Sequence, residues 1–202
     1  MTLKPVSAGG LAVVLMFMAT ACAGFHSEQA AIQIYTLEPA FAPSVPEAGS
    51  DAPTLQVLRP QAASGLDTDR IALNRSAQRL DYYAASRWPA PLPDFLQTMV
   101  IDALRAAGKF RSVQSDVTAF TADDVLQIEI RRCQAVYANG GPPAVHVQLL
   151  ATLGNRGDRR VLTSISAEST IPAAENRMQA VVAAFQDAVA AALGQLAARL
   201  GP

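Results

Sequence analysis

Side chains that support most catalysis are scarce in this chain of 202 residues. It has two histidines, His26 and His146, and two cysteines, Cys22 and Cys133. It contains no G-x-S-x-G nucleophile elbow, no phosphate-binding P-loop and no G-x-G-x-x-G dinucleotide fingerprint. No group of potential ligands has the spacing of a metal site. The sequence therefore predicts a protein that is not an enzyme, and without a P-loop it would need a partner to hydrolyse ATP.

Charge is sparse and nearly balanced, with 16 basic and 17 acidic residues. The basic residues are scattered, whereas a nucleic-acid-binding protein concentrates them on one face. Neighbouring carboxylates occur at Asp67/Asp69 and at Asp123/Asp124, where turns and strand starts favour solvated groups over catalytic ones. Beyond the N-terminal segment, no apolar run is long enough to suggest a membrane span.

The N-terminal segment has the layout of a secretory signal. Lys4 precedes an apolar run, Leu11 to Cys22, which ends in small residues. The run is shorter than the ~20 residues that a spanning helix needs. We interpret residues 1–21 as a signal peptide, which leaves 202 − 21 = 181 residues, a length suited to one domain.

The cysteine that ends this segment points to lipidation. The tetrapeptide Ala19-Thr20-Ala21-Cys22 resembles the lipobox of bacterial lipoproteins, although alanine replaces the usual leucine at its first position. A covalent lipid on Cys22, palmitate or a similar acyl chain, is then the only attached group expected. Ala23 is not the aspartate typical of inner-membrane retention, which favours the outer membrane. The alternative is an ordinary Ala-x-Ala cleavage site that leaves a soluble protein.

Two expectations follow from the cysteines. Residues 22–31 form a lipidated tether that spans at most ~35 Å when extended, which keeps the folded part near the membrane. If Cys22 carries lipid, Cys133 has no partner within the chain, and we interpret it as a buried, unreactive thiol.

The remaining residues, 32–202, predict one α+β domain. Alternating or short apolar segments indicate strands, and tight turns join the last three into an antiparallel meander. The predicted strands are Ile32–Leu37, Leu55–Val57, Ile71–Leu73, Val125–Tyr137, Val145–Leu153 and Val161–Ser169. Phe110–Ser115 is expected as a short extended segment, and Gln61–Asp69 as a turn. Apolar residues at helical spacing predict helices over Pro93–Gly108 and Ala174–Leu200. We expect a mostly antiparallel sheet of about five to six strands with both amphipathic helices on one face.

One segment rich in aromatic residues remains, Arg79–Pro93. It contains three prolines, which favour a loop. It carries Tyr82, Tyr83, Arg87 and Trp88, residue types that dominate interface hot spots. These four residues are candidate interface anchors. The alternative is that Trp88 covers the core beneath the loop.

The ordered set of features resembles the auxiliary lipoproteins of ABC-type transport systems that work with MCE-domain proteins. The resemblance spans the mature chain and is carried by the lipobox cysteine and by several short segments. These segments are Tyr35-Thr36-Leu37, Leu55-Gln56-Val57, Asp69-Arg70-Ile71, Arg87-Trp88, the Leu126 strand and Ala180 to Phe185.

The resemblance implies a periplasm-facing lipoprotein that docks within an envelope machine for phospholipid or other hydrophobic cargo. Its partners would be an MCE-domain protein and an ABC permease and ATPase, and a homo-oligomeric ring is a further expectation. Two alternatives stay open: a structural outer-membrane lipoprotein, and a small periplasmic lipid carrier with an enclosed apolar cavity of ~300 Å³ or more.

Replacing the candidate lipidation residue tests the anchor. We expect Cys22→Ser to abolish acylation and to move the protein out of the detergent phase in a two-phase extraction. Intact-mass measurement of the parent protein should show a lipid adduct on its first residue. A parent protein that is unmodified and freely soluble would contradict the anchor.

Overall fold

A computed structural model of the chain describes residues 31–41, 49, 51–76, 78–138 and 140–201. Residues Ile32–Pro202 form one compact unit. The signal peptide, most of the tether and Cys22 lie outside the described residues, so the predictions made for them stay predictions.

The described residues form nine strands and two helices. In chain order the strands are β1 Gln33–Ile34, β2 Thr54–Val57, β3 Gln61–Ala62, β4 Arg70–Ser76, β5 Arg79–Arg87, β6 Ser112–Ser115, β7 Asp124–Val136, β8 Ala144–Asn155 and β9 Val161–Pro172. Helix α1, Leu92–Ala107, lies between β5 and β6, and helix α2, Met178–Arg199, ends the domain.

Strand β7 is the centre of the sheet. On one side it pairs antiparallel with β8 along its whole length, and β8 pairs antiparallel with β9. This is the predicted meander, and it is confirmed. On the other side β7 meets β2, β3 and β4 in succession, all of them parallel to it. Leu126, Ile128 and Ile130 alternate into the core, as their spacing predicted.

The α+β class is confirmed, but the expected strand number and pairing are wrong in detail. The sheet is mixed, and parallel pairs join β1 to β5 and β2 to β6 as well as the three strands beside β7. Several of these strands are two to four residues long, too short to show a clear alternation. Strand β3 lies at the start of the segment predicted as the Gln61–Asp69 turn. Parallel neighbours are also distant in sequence, so no hairpin turn between them reveals in the sequence that they pair.

The segment predicted as a proline-rich loop is also corrected. Its first nine residues form β5, which pairs antiparallel with β4 as a hairpin. The prolines begin only at Pro89 and therefore do not obstruct the strand. A bulge in β5 interrupts the alternation that would mark a strand. The pairing register shifts opposite Ile71, and the backbone of Ala85 has a φ of 49°.

Both predicted helices are confirmed with shifted starts. Helix α1 begins one residue before Pro93, which still lies in its first turn, where a missing N–H costs nothing. Gly108 ends it with a φ of 64°, donating its N–H to the Arg105 carbonyl. Helix α2 begins at Met178 rather than Ala174.

Helix α2 covers the inner face of β8 and β9 and also contacts α1. By length and composition alone it could cross a membrane, but half of its most apolar window is buried inside the domain. Phe185, Val189 and Leu193 are fully buried, and the alanines between them let the helix approach the sheet closely. Helix α1 packs beside it over β2, β3 and β6, so both helices lie on one face, as expected.

Replacing Phe185 by aspartate tests this packing. The change removes a large buried side chain, worth ~3–5 kcal/mol, and adds a buried unpaired carboxylate. Since a domain is stable by only ~5–15 kcal/mol, we expect Phe185→Asp to prevent accumulation of folded protein. Ala183→Asp, at an exposed position of the same helix, is the matched control and should fold. Circular dichroism and expression level are the readouts, and normal accumulation of the Phe185 variant would refute the packing.

Candidate functional site

Trp88 follows β5 and lies in the core. Its side chain is 3% exposed. The indole packs edge-on against Phe185, with ring centroids 5.3 Å apart, and against Phe95 at 5.7 Å. These contacts join the end of the β4–β5 hairpin to both helices. Within the isolated chain Trp88 is thus not available at the surface, in keeping with the alternative that it covers the core.

Arg87 binds the connection between β3 and β4. Its Nη1 lies 2.7 Å from Oδ1 of Asp69, and the N–H of Trp88 donates to the Asp69 carbonyl at 2.7 Å. Both charged side chains are more than a third exposed. The ion pair is therefore worth only ~0–1 kcal/mol, and part of the guanidinium remains open to a partner.

Tyr82 is held by a neighbouring turn and by an arginine. Its hydroxyl donates to the Gly65 carbonyl at 2.8 Å, and the Arg70 guanidinium lies 3.9 Å from its ring centroid. Gly65 has a φ of 85°, and a Cβ there would approach a Leu80 methyl carbon to 2.5 Å. This turn therefore requires glycine at position 65.

Tyr83 points to a different set of partners. Tyr137 donates its hydroxyl proton to Oδ1 of Asn176 at 2.9 Å, so Tyr83 donates to the Tyr137 oxygen at 3.0 Å. Burial raises the pKa of Tyr83 well above its ordinary value, and the hydrogen bond to Tyr137 adds to the shift. Tyr83 is therefore a protonated donor that fixes this end of the sheet.

The structure thus separates the four candidate residues. Trp88 is in the core and Tyr83 is in a tyrosine–asparagine chain, whereas Tyr82 and Arg87 remain partly exposed. Arg70 is paired with Arg87 across the hairpin and stacks on Tyr82, so the three form one surface. We call Arg70, Tyr82 and Arg87 the arginine–tyrosine patch. Sequence reasoning did not select Arg70, because its position beside Tyr82 depends on the β4–β5 pairing.

The adjacent aspartates at the start of β7 have structural partners. Asp123 accepts hydrogen bonds from the backbone N–H and hydroxyl of Thr54, both at 2.8 Å, and these bonds lower its pKa. Asp124 is 3% exposed and accepts a hydrogen bond from the Asn155 side chain at 3.0 Å. They fasten β2 and β8 to the start of β7, and Asp124 is not the solvated group that its turn position suggested.

The remaining cysteine and histidine of the domain, Cys133 and His146, have structural surroundings. Cys133 is buried, as predicted, and this burial raises the pKa of its thiol to about 12, which disfavours the reactive thiolate. Nε2 of His146 lies 2.6 Å from Oε1 of Glu168 across the β8–β9 pair. Among the described residues, no group of three or more histidine, cysteine, aspartate or glutamate side chains could hold a metal ion.

The described residues thus form a small α+β domain, a mixed sheet covered on one face by two helices, with a partly exposed patch of arginine and tyrosine. A family of ABC-type transport auxiliary lipoprotein components matches residues 35–197. The chain belongs to this family. The resemblance noted from the sequence is thereby confirmed at the level of the family.

Two solved structures support the fold, and a third is a weaker match. A protein from Xanthomonas campestris, XCC0632, is 28% identical, with a TM-score of 0.73 over 82% of this chain and 92% of its own. An uncharacterized protein is similar in fold, at 14% identity and a TM-score of 0.64 over 83% of this chain and 97% of its own. A PelC dodecamer from Paraburkholderia phytofirmans is more distant, at 16% identity and a TM-score of 0.45 over 82% of this chain and 96% of its own. A search of curated proteins found no match.

The burial of Trp88 predicts a stability effect. We expect Trp88→Ala to lower the free energy of unfolding by ~3–5 kcal/mol, because it leaves a cavity between both helices and the hairpin. Trp88→Phe should cost clearly less, since a ring would remain against Phe185. Urea unfolding followed by circular dichroism measures both variants. An alanine variant as stable as the parent would place the indole outside the core.

Proposed function

We propose that this protein is a membrane-anchored component of an MCE-type system that moves phospholipid or another hydrophobic molecule across the cell envelope. The observation that carries the proposal is the family match over residues 35–197. The lipobox at Cys22 adds the anchor, with the domain facing the periplasm from the outer membrane rather than the inner one. An ABC permease and ATPase would supply the energy, and an MCE-domain protein would be the direct partner.

Within this system the chain acts by docking rather than by catalysis. The arginine–tyrosine patch is the candidate contact surface, because arginine and tyrosine bring large contact areas and hydrogen-bond donors to interfaces. Its residues sit on a strand pair, so their positions are fixed before a partner arrives. Preorganised side chains lose less conformational entropy on binding than loop residues do.

Tethering restricts where docking can occur. A lipid on Cys22 and a connection of at most ~35 Å would hold the patch near the membrane surface. A homo-oligomeric ring is part of the proposal, since several anchored copies around one partner would raise their effective concentration. Native mass spectrometry of the purified protein measures the copy number.

The carrier alternative needs an enclosed apolar cavity. A groove of about 460 Å³ lies between the two helices, lined mainly by alanines together with Phe41 and Lys109. It is open along the protein surface, and it would leave much of an acyl chain in water. This geometry favours the docking subunit over the carrier. A purely structural lipoprotein would differ in lacking a transport partner.

Co-purification tests the proposed docking. We expect the tagged protein, extracted from envelopes in mild detergent, to retain the MCE-domain protein. The double variant Arg70→Glu with Tyr82→Ala should reduce the retained partner by about tenfold or more, because it reverses a charge and removes the aromatic contact. Arg160→Glu with Val161→Ala, at the exposed start of β9, is the matched control and should retain the partner.

Two outcomes would count against the proposal. Absence of any MCE-domain protein from the parent preparation would remove the transport role and favour the structural lipoprotein. Equal retention by a patch variant with normal thermal unfolding would keep the role but displace the docking surface from β4 and β5.

A further inference from the structure

A polar cavity lies on the sheet face opposite the helices. Its volume is about 480 Å³. Strand β3 pairs with residues 129–130 of β7 and strand β4 with residues 135–136, so the cavity lies between two successive neighbours of β7. Its lining residues are Asn74, Ser76, Arg131, Arg132, Gln134, Val136 and Tyr137.

A bulge in β7 places two arginines side by side in this wall. Ile130 pairs with Leu149 and Arg132 with Gln148, so Arg131 is one extra residue in the strand. Both arginines are exposed, whereas Ile130 before them and Cys133 after them are buried. In a regular strand adjacent residues point to opposite faces. The bulge therefore turns a second guanidinium outward at the point where the cavity opens.

The cavity is rich in hydrogen-bond donors and positive charge. None of its lining residues carries a carboxylate. Nη2 of Arg131 lies 3.4 Å from Oε2 of Glu129, and both side chains are about half exposed, so this pair is weak. Nη1 of Arg132 lies 3.4 Å from Nδ1 of His146, and among the described residues Arg132 has no carboxylate within 4.0 Å.

Two further groups lie at the rim, one positive and one a hydrogen-bond acceptor. The Arg75 guanidinium lies 5.1 Å from the Tyr137 ring centroid, which adds a third positive group nearby. Oδ1 of Asn74 is buried and has no hydrogen-bond partner among the described residues. This oxygen is an acceptor that a hydroxyl or amine of a bound ligand could satisfy.

From this arrangement we infer that the cavity binds a phosphate ester, with Arg131 and Arg132 contacting the phosphate oxygens. Planar guanidinium groups match phosphate geometry and form charge-assisted hydrogen bonds with it. Ser76, Gln134 and Asn74 supply neutral partners for the hydroxyl or amine that such esters carry. The volume suits a small polar headgroup and lies in the range of ordinary ligand sites.

Two sources share this chemistry: the headgroup of a glycerophospholipid and a soluble ester such as glycerol 3-phosphate. The lipid source rests on the proposed transport function, whereas phosphate binding does not. Binding is measured on the isolated protein without any partner. Its failure would therefore be distinct from a failure to retain the MCE-domain protein.

Native mass spectrometry of the full chain in non-ionic detergent tests the site. Phosphatidylglycerol, diacylglycerol with the same acyl chains, and glycerol 3-phosphate are titrated separately. We expect saturable adducts with a phosphate-bearing probe and none with diacylglycerol. Arg131→Gln with Arg132→Gln should weaken the adduct by about tenfold or more. Arg159→Gln with Arg160→Gln, which removes the same charge from an adjacent exposed pair in the β8–β9 connection, should bind like the parent.

The outcomes distinguish the two ligand sources from each other and also show whether phosphate binding occurs at all. Adducts with phosphatidylglycerol support a lipid headgroup, and adducts with glycerol 3-phosphate alone support a soluble ester. The inference is overturned if neither phosphate probe binds, if diacylglycerol binds equally well, or if both double variants bind alike. Thermal unfolding of each variant verifies that the arginine changes leave the fold intact, since these side chains are exposed.

Discussion

The fold depends on covering the apolar face of one long antiparallel meander. Strands β7, β8 and β9 turn alternate side chains to the same side, and in water that surface would be unstable. Helix α2 covers β8 and β9, and its fully buried Phe185 reaches Trp88 beyond the sheet. Through that contact one helix stabilises the meander, the β4–β5 hairpin and helix α1 together. This explains why an apolar helix long enough for a bilayer is instead the core helix of the domain.

The sequence predicted the parts of this fold whose signals are local. Strict alternation marks β7 and β8, helical spacing marks α2, and Gly108 marks the end of α1. Among the short parallel strands, β2 was predicted and β6 was expected only as an extended segment, whereas β3 was assigned to a turn. Each is too short to show a clear alternation, and each pairs with residues far away in the chain. Strand β5 was obscured for a different reason. Its bulge at Ala85 breaks the alternation, and the three prolines after Trp88 biased the whole segment toward a loop.

The same dependence on strand pairing explains why the candidate site was predicted only in part. Residue type alone selected Tyr82, Tyr83, Arg87 and Trp88, but it cannot tell which face of a strand each one occupies. The hairpin register gives that information, and it adds Arg70 while placing Trp88 in the core. The adjacent arginines at positions 131 and 132 were visible in the sequence. Their common orientation was not, because a bulge is a property of two paired strands rather than of one.

The edges of the sheet constrain where partners can bind. Strand β9 is long and pairs with β8 alone among the described strands, which would leave its other edge open to strand addition. Helix α2 covers this edge with side chains. The Gln195 amide bonds both the N–H and the carbonyl of Glu168, at 3.3 and 3.0 Å, and Arg199 donates to the Ser166 carbonyl at 2.9 Å. These bonds occupy the middle of the strand. The helix that stabilises the core, α2, therefore also limits backbone pairing at this edge. Docking through side chains, as proposed for the arginine–tyrosine patch, agrees with an edge protected in this way.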